Sequence, residues 1–86
     1  MTDGFDKVLS NSEIRWSFIR VPRKFLSLFP MNKPFKIICH NRSFVVSVNK
    51  AQRIVSKELF RELMPKEGSI IHFSKEADNE FTVKIL

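Results

Sequence analysis

The sequence has no tyrosine, only two glycines and a single cysteine among its 86 residues. One cysteine excludes an internal disulfide and any multi-cysteine zinc site. Cys39 follows Ile37 and Ile38 in an apolar run, so a buried structural thiol is expected. Scarce glycine leaves the turns to Asn, Asp, Ser and Pro. No apolar run nears the roughly 20 residues that span a bilayer. No long amphipathic helix carries the Lys and Arg to a lipid surface, so no membrane partner is expected. The first six residues open acidic and lack an apolar signal core. An intracellular location follows as the expectation: the nucleus in a eukaryote, the cytoplasm in a prokaryote. There is no Gly-rich phosphate loop and no paired carboxylate in an apolar setting. His40 and His72 stand 32 residues apart with no ligand-spaced partner. No catalytic residue, metal or cofactor is therefore expected, and the chain does not read as an enzyme.

What is present is bulk and positive charge. Hydrophobic residues make up 43%, with nine Phe and one Trp, enough for one globular domain over residues 1–86. The net charge is +6. Its layout says more than its sum. From Ile14 to Lys57 there are ten basic residues and no acidic one. The rest of the chain holds five basic and nine acidic residues, a net of −4. A stretch without carboxylates cannot neutralise itself through local ion pairs. Solvent ions, the acidic remainder or a polyanion must meet its field, and nucleic acid is the commonest polyanion.

Along the chain, residues 5–9 and 15–21 read as strands, the second running into Pro22. Ser12 is a candidate cap for a brief helical turn between them. Phe25, Leu26, Leu28 and Phe29 follow helical spacing over 23–29, and Pro30 ends that helix. Residues 35–40 and 43–48 read as a hairpin turning on Asn41-Arg42. Residues 53–55 form a short strand. Ser56 caps a helix over 57–63 that buries Leu59, Phe60 and Leu63. Residues 69–73 and 81–86 make a last hairpin across the acidic loop 76–80. A weak repeat of period 34 runs through this order: Val21 matches Val55, Phe29 matches Leu63, and Ile37 matches Ile71. After a three-residue gap, Phe44 matches Phe81 and Val46 matches Val83. Each unit is strand, short helix and hairpin, and one unit cannot cover its own apolar face. Two together could close a small barrel.

The run Phe5-Asp6-Lys7-Val8-Leu9-Ser10-Asn11-Ser12-Glu13-Ile14 resembles the opening of the DNA-binding B-three domain of plant transcription factors. Val21-Pro22-Arg23-Lys24-Phe25, ending at Phe29-Pro30, is similar to that family's first helix. Residues 60–73, with Phe81-Thr82-Val83-Lys84-Ile85, are similar to its second helix and closing hairpin. Related domains recognise DNA in some bacterial restriction enzymes. The chain departs from the family in lacking a Gly-Trp pair before the second helix, in reading Gly68-Ser69 where Gly-Asp is usual, and in a shorter connection after Val48. Its second half also resembles AbrB-type swapped-hairpin barrels, which bind DNA as dimers.

The resemblance implies a mainly β fold with two short helices, a seven-stranded open pseudobarrel with a helix at each end. It further implies two arms that grip the DNA major groove, roughly Ser10 to Arg20 and Ser47 to Arg53. Both stretches are polar and basic, with Glu13 their only carboxylate. The expected partner is double-stranded DNA, read with sequence preference by a transcriptional regulator. Other protein domains are a further partner class, and a monomer is expected over a homodimer. The alternatives are a protein-interaction module and an AbrB-like dimeric regulator. The expected DNA-facing set is Lys7, Ser10, Asn11, Ser12, Arg15, Trp16, Arg20, Arg23, Lys24, Arg42, Asn49, Lys50, Gln52 and Arg53. Arginine can bridge guanine O6 and N7 or hold phosphate, and the amides of Asn11, Asn49 and Gln52 can read adenine. Lys50 and Arg53 suit phosphate. Arg23 and Lys24 sit in a first helical turn, where free N–H groups also attract phosphate. Arg42 is expected at a hairpin tip. Trp16 is expected in the core, with stacking on a base or sugar as its functional reading.

Overall fold

The computed structural model describes residues 4–30 and 32–86; residues 1–3, the first half of the acidic opening, and residue 31 lie outside that description. Seven strands are described: β1 (Gly4–Val8), β2 (Phe18–Arg20), β3 (Phe35–Cys39), β4 (Arg42–Val46), β5 (Arg53–Val55), β6 (Ile70–Ala77) and β7 (Glu80–Ile85). Two α-helices, α1 (Asn11–Trp16) and α2 (Lys57–Leu63), and a 3₁₀ helix over Arg23–Leu28 connect them. The expected mainly β class stands, with one more helical segment than expected. No described helix is long and apolar enough to cross a membrane.

Local chemistry explains most boundaries. Ser56 Oγ accepts the Leu59 N–H at 3.1 Å and starts α2, which buries Leu59, Phe60 and Leu63. Its end is Met64, in the left-handed region at φ 49°. The segment over 23–28 tightens to i→i−3 bonds, Phe25 N–H to Pro22 O at 2.9 Å and Phe29 N–H to Leu26 O at 3.1 Å. Pro30 forces Phe29 into extended backbone, so the helix has too few residues to settle into α geometry. The β3–β4 turn is His40-Asn41, both at positive φ (52° and 65°). Cys39 pairs with Arg42, so the turn sits one residue earlier than the sequence pattern places it. The last hairpin also differs: β6 and β7 continue pairing to Ala77 and Glu80, so most of the acidic segment is strand and only Asp78-Asn79 turns.

One sheet runs β1-β6-β7-β3-β4, with β3 and β7 parallel and the other neighbours antiparallel. A separate ribbon pairs β2 with β5. The repeat maps onto this topology. Ile37 and Ile71 are both fully buried, and the matched Phe29 and Leu63, Phe44 and Phe81, and Val46 and Val83 are all buried. Val21 and Val55 break the pattern, the first buried and the second 55% exposed. Applied to the β3–β7 pair, the repeat calls for a β4–β6 pair. Instead β1 takes that edge of β6, which leaves the barrel open between β1 and β4.

The core is a phenylalanine stack. Phe5 lies between Phe25 at 4.4 Å and Phe73 at 4.9 Å, both nearly parallel. Phe29 stacks on Phe81 at 4.5 Å. All nine Phe except Phe25 are buried. Cys39 is buried too, and that burial, followed by the charge of Glu62, pushes its thiol pKa up, as suits an inert structural thiol.

Candidate nucleic-acid interface

The first arm is organised by Glu13, its one carboxylate. Ser10, not Ser12, is the N-cap of α1, and it forms a reciprocal capping box with Glu13. Glu13 Oε1 accepts the Ser10 N–H at 3.0 Å, and Oε2 accepts the Arg20 N–H at 2.8 Å. Lys7 Nζ lies 3.3 Å from Glu13 Oε1. The lone carboxylate of the arm is therefore turned inward, only 3% exposed, and ties both ends of the arm together. Ser17, at φ 55°, closes α1 and hands the chain to β2.

This overturns two expectations. Arg15 and Trp16 belong to α1, not to a strand, because the capping box nucleates a helical turn through them. Trp16 is not core: it is 65% exposed, with the Arg15 guanidinium over its ring at 5.5 Å. Asn11 and Ser12 are exposed in the first turn of α1. Lys7 is half-buried and already paired with Glu13, so its charge faces inward.

The second arm is a turn built by Asn49. Its Oδ1 accepts the N–H groups of Ala51 at 2.9 Å and Arg53 at 3.0 Å. Gln52 adopts φ 63° and donates its N–H to Asn49 O. The Asn49 carbonyl oxygen is thus spent on the loop, which leaves only its amide hydrogens for a ligand. Lys50 and Gln52 stay exposed.

The ribbon brings the arms together. Ile19 and Ile54 are fully buried and paired. Strand alternation then turns their neighbours to the other face, where Arg20 stands opposite Arg53 and Phe18 opposite Val55. Two further bonds lock the arms: Val21 N–H to Gln52 O at 2.9 Å and Ser56 N–H to Ser17 O at 3.1 Å. A groove between them is lined by Trp16, Phe18, Asn49, Ala51, Arg53 and Val55. Across it the Arg53 guanidinium lies 4.5 Å from the Phe18 ring centroid, and its Nε is buried with no hydrogen-bond partner among the described residues.

Arg15, Arg20, Arg23, Lys24, Lys50 and Arg53 form no ion pair with a carboxylate among the described residues. Arg23 and Lys24 are exposed on the 3₁₀ helix, which has no side-chain cap; Lys24 lies over Phe25 at 5.1 Å. Six residues of 3₁₀ geometry do not make the N-terminal anion site expected of an α-helix. Arg42 differs. It lies over Phe44 at 5.6 Å and pairs with Glu62 at 2.9 Å, beside His40 at 3.0 Å from the same carboxylate. Hydrogen bonds from His40 first and Arg42 second hold the Glu62 carboxyl below its ordinary value of 4.5. A depressed folded pKa adds stability that is complete above the unfolded value and is lost as pH falls through the folded one. Urea denaturation across about pH 3 to 7 should therefore show a shallower acid limb for Glu62→Gln than for the parent; identical limbs would refute this.

Comparison with solved structures agrees with the architecture. The N-terminal domain of LlaJI.R1 from Helicobacter pylori superposes with a TM-score of 0.78 at 13% identity, covering 98% of this chain and 87% of that one. The fold is the B-three pseudobarrel. The hypothetical Arabidopsis thaliana protein At1g16640.1 gives 0.74 at 16% identity, covering 100% and 91%. Arabidopsis FUS3, solved as a complex with DNA, gives 0.72 at 14% identity, covering 94% and 93%. No family model matches the sequence, and no curated protein matches it.

Proposed function

We propose that this B-three pseudobarrel is a double-stranded DNA-binding domain, part of a transcriptional regulator, whose arms over 10–20 and 47–53 enter the major groove. The observation that carries the reading is the outer face of the β2–β5 ribbon. There Arg20 and Arg53 stand side by side, no carboxylate pairs with either among the described residues, and the arm's own acid, Glu13, is buried and spent on the Arg20 backbone N–H, the Ser10 N–H and Lys7. Two adjacent unpaired cations repel each other unless an anion joins them. The DNA-bound state of FUS3 supports the choice of duplex DNA as that anion. The arms come from one chain, so a single copy carries both. An AbrB-type dimer would need a second copy to supply the strands that β2, β3 and β4 supply here. The reading assigns no catalytic step, and it places the chain wherever duplex DNA lies, nucleus or cytoplasm.

Titration of duplex DNA against the fluorescence of Trp16, the only tryptophan, tests this. Six unpaired cations would neutralise about six phosphates, so log affinity should fall with log salt at a slope of about −5. Amide signals over 10–20 and 47–53 should move together. A slope near zero, or signals that stay still, would sink the reading.

A further inference from the structure

The groove between the arms has an apolar side that phosphate binding does not require. Trp16 is 65% exposed and Val55 is 55% exposed, and both line the same groove as Ala51 and Arg53. Phe18 closes its floor beneath the Arg53 guanidinium. Water gains nothing from such a surface, and an occupant that covers it must bring apolar atoms of its own. Arg53 in the groove wall, Arg15 over the Trp16 ring and Arg20 opposite Arg53 on the ribbon favour an occupant that is polyanionic overall. Duplex DNA presents one apolar group on its major-groove base edges, the C5-methyl of a pyrimidine: thymine carries it, and cytosine does once methylated.

We propose that the dent between Trp16, Ala51 and Val55 receives a pyrimidine C5-methyl group, with Arg53 reaching the guanine beside it. The proposal rests on the DNA-binding reading above and adds the chemistry that gives it sequence preference. Arg53 is suited to the neighbouring guanine because Phe18 covers its face and its Nε is sealed from solvent. Only the terminal nitrogens remain to bridge O6 and N7. Asn49 contributes by setting the loop, since its Oδ1 holds the N–H groups of Ala51 and Arg53, the two residues that bracket the dent.

The test uses the full chain and a duplex selected from a random pool. Thymines are replaced one at a time by deoxyuridine, which removes the methyl and leaves every hydrogen-bonding group in place. Affinity is read by fluorescence anisotropy at fixed salt. At one position the loss should be about fourfold, the worth of one buried methyl. A second arm replaces cytosines by 5-methylcytosine; a gain of similar size at a guanine-flanked site would assign the dent to methylated cytosine, and a loss confined to deoxyuridine would assign it to thymine. Trp16→Ala should erase the difference while keeping the salt slope. Because Trp16 is exposed, this variant keeps the core; Val55→Ser, also at an exposed site, should shrink the same difference independently. Equal affinities across both series, with the salt slope intact, would overturn the inference and leave DNA binding standing. Loss of the salt slope itself would overturn DNA binding instead.

Discussion

Glu13→Ala should lower the free energy of unfolding by about 3 kcal/mol, measured by urea denaturation at neutral pH. The carboxylate answers three donors at once: the Ser10 N–H, the Arg20 N–H and the Lys7 ammonium. Its own side chain is 4% exposed and that of Lys7 only 19%. Alanine leaves one half-buried ammonium without a counter-charge and two backbone donors without an acceptor. Removing one partner of a buried pair costs more than the pair contributes, because the other charge stays behind. Lys7→Met combined with Glu13→Ala should therefore recover part of the loss, a coupling that independent sites would not show. The amides of Ser10 and Arg20 should also lose protection from hydrogen exchange. A loss under about 1 kcal/mol would mean that water replaces the carboxylate at little cost. The consequence for the proposed site is direct. Glu13 fixes where α1 starts and where β2 ends, so the variant should bind duplex DNA more weakly even at temperatures where it remains folded.

The features legible in the sequence are those decided over a few residues. Helix α2 and its cap Ser56 emerge with the right boundaries because Leu59, Phe60 and Leu63 fall on one face and a serine precedes them. The β3–β4 hairpin is legible for the same reason, although its turn slips by one: Asn41 tolerates positive φ, and so does His40 before it. Glu13 was legible only in part. Ser10 and Glu13 stand three apart before an apolar residue, a capping-box spacing. The four apolar positions Trp16, Phe18, Ile19 and Val21, which read as a strand, mask it. The inward turn of the carboxylate depends on Lys7 and on the Arg20 backbone, and neither is a local neighbour. The acidic end of the last hairpin was misread because apolar alternation stops at Phe73 on one side and resumes at Phe81 on the other. Between them the ladder continues where both of its faces meet water, so pairing persists with no hydrophobic signal to announce it.

The pairing of Arg20 with Arg53 was beyond sequence reasoning for a different reason. Strands β2 and β5 have three residues each and lie more than thirty residues apart. Their register is set by Ile19 meeting Ile54 in the core, and a core residue picks its partner only once the barrel is formed. The individual cations could be seen in advance; their shared face could not. Arg42 shows the converse. It looked equivalent to the other arginines until Glu62, on a helix formed later in the chain, took its charge.

Arg53→Ala should weaken binding to a selected duplex by about 30-fold, equivalent to about 2 kcal/mol for one bidentate base contact. Arg15→Ala and Lys50→Ala should cost only a few-fold each, uniformly across sequences, with the salt slope smaller by about 1. The difference lies in preparation. Lys50 is a solvated side chain on an exposed turn and must be ordered by its ligand, at an entropic cost. Arg53 is half-buried over Phe18, with its backbone N–H held by Asn49 and its Nε enclosed, so little freedom is left to lose. Arg53→Lys separates charge from shape. It keeps the positive charge and should keep the salt slope, but its ammonium lacks the planar, preorganised fork with which a guanidinium spans two acceptors. Discrimination at one base pair should therefore fall in Arg53→Lys, and fall further in Arg53→Ala. Circular dichroism melts should show both variants folded at the titration temperature, with Arg53→Ala melting somewhat lower because it uncovers Phe18; that would place the loss in recognition. Were Arg53→Lys to match the parent across all sequences, Arg53 would be a phosphate contact and the base-reading role would pass to Arg20, its cross-strand neighbour.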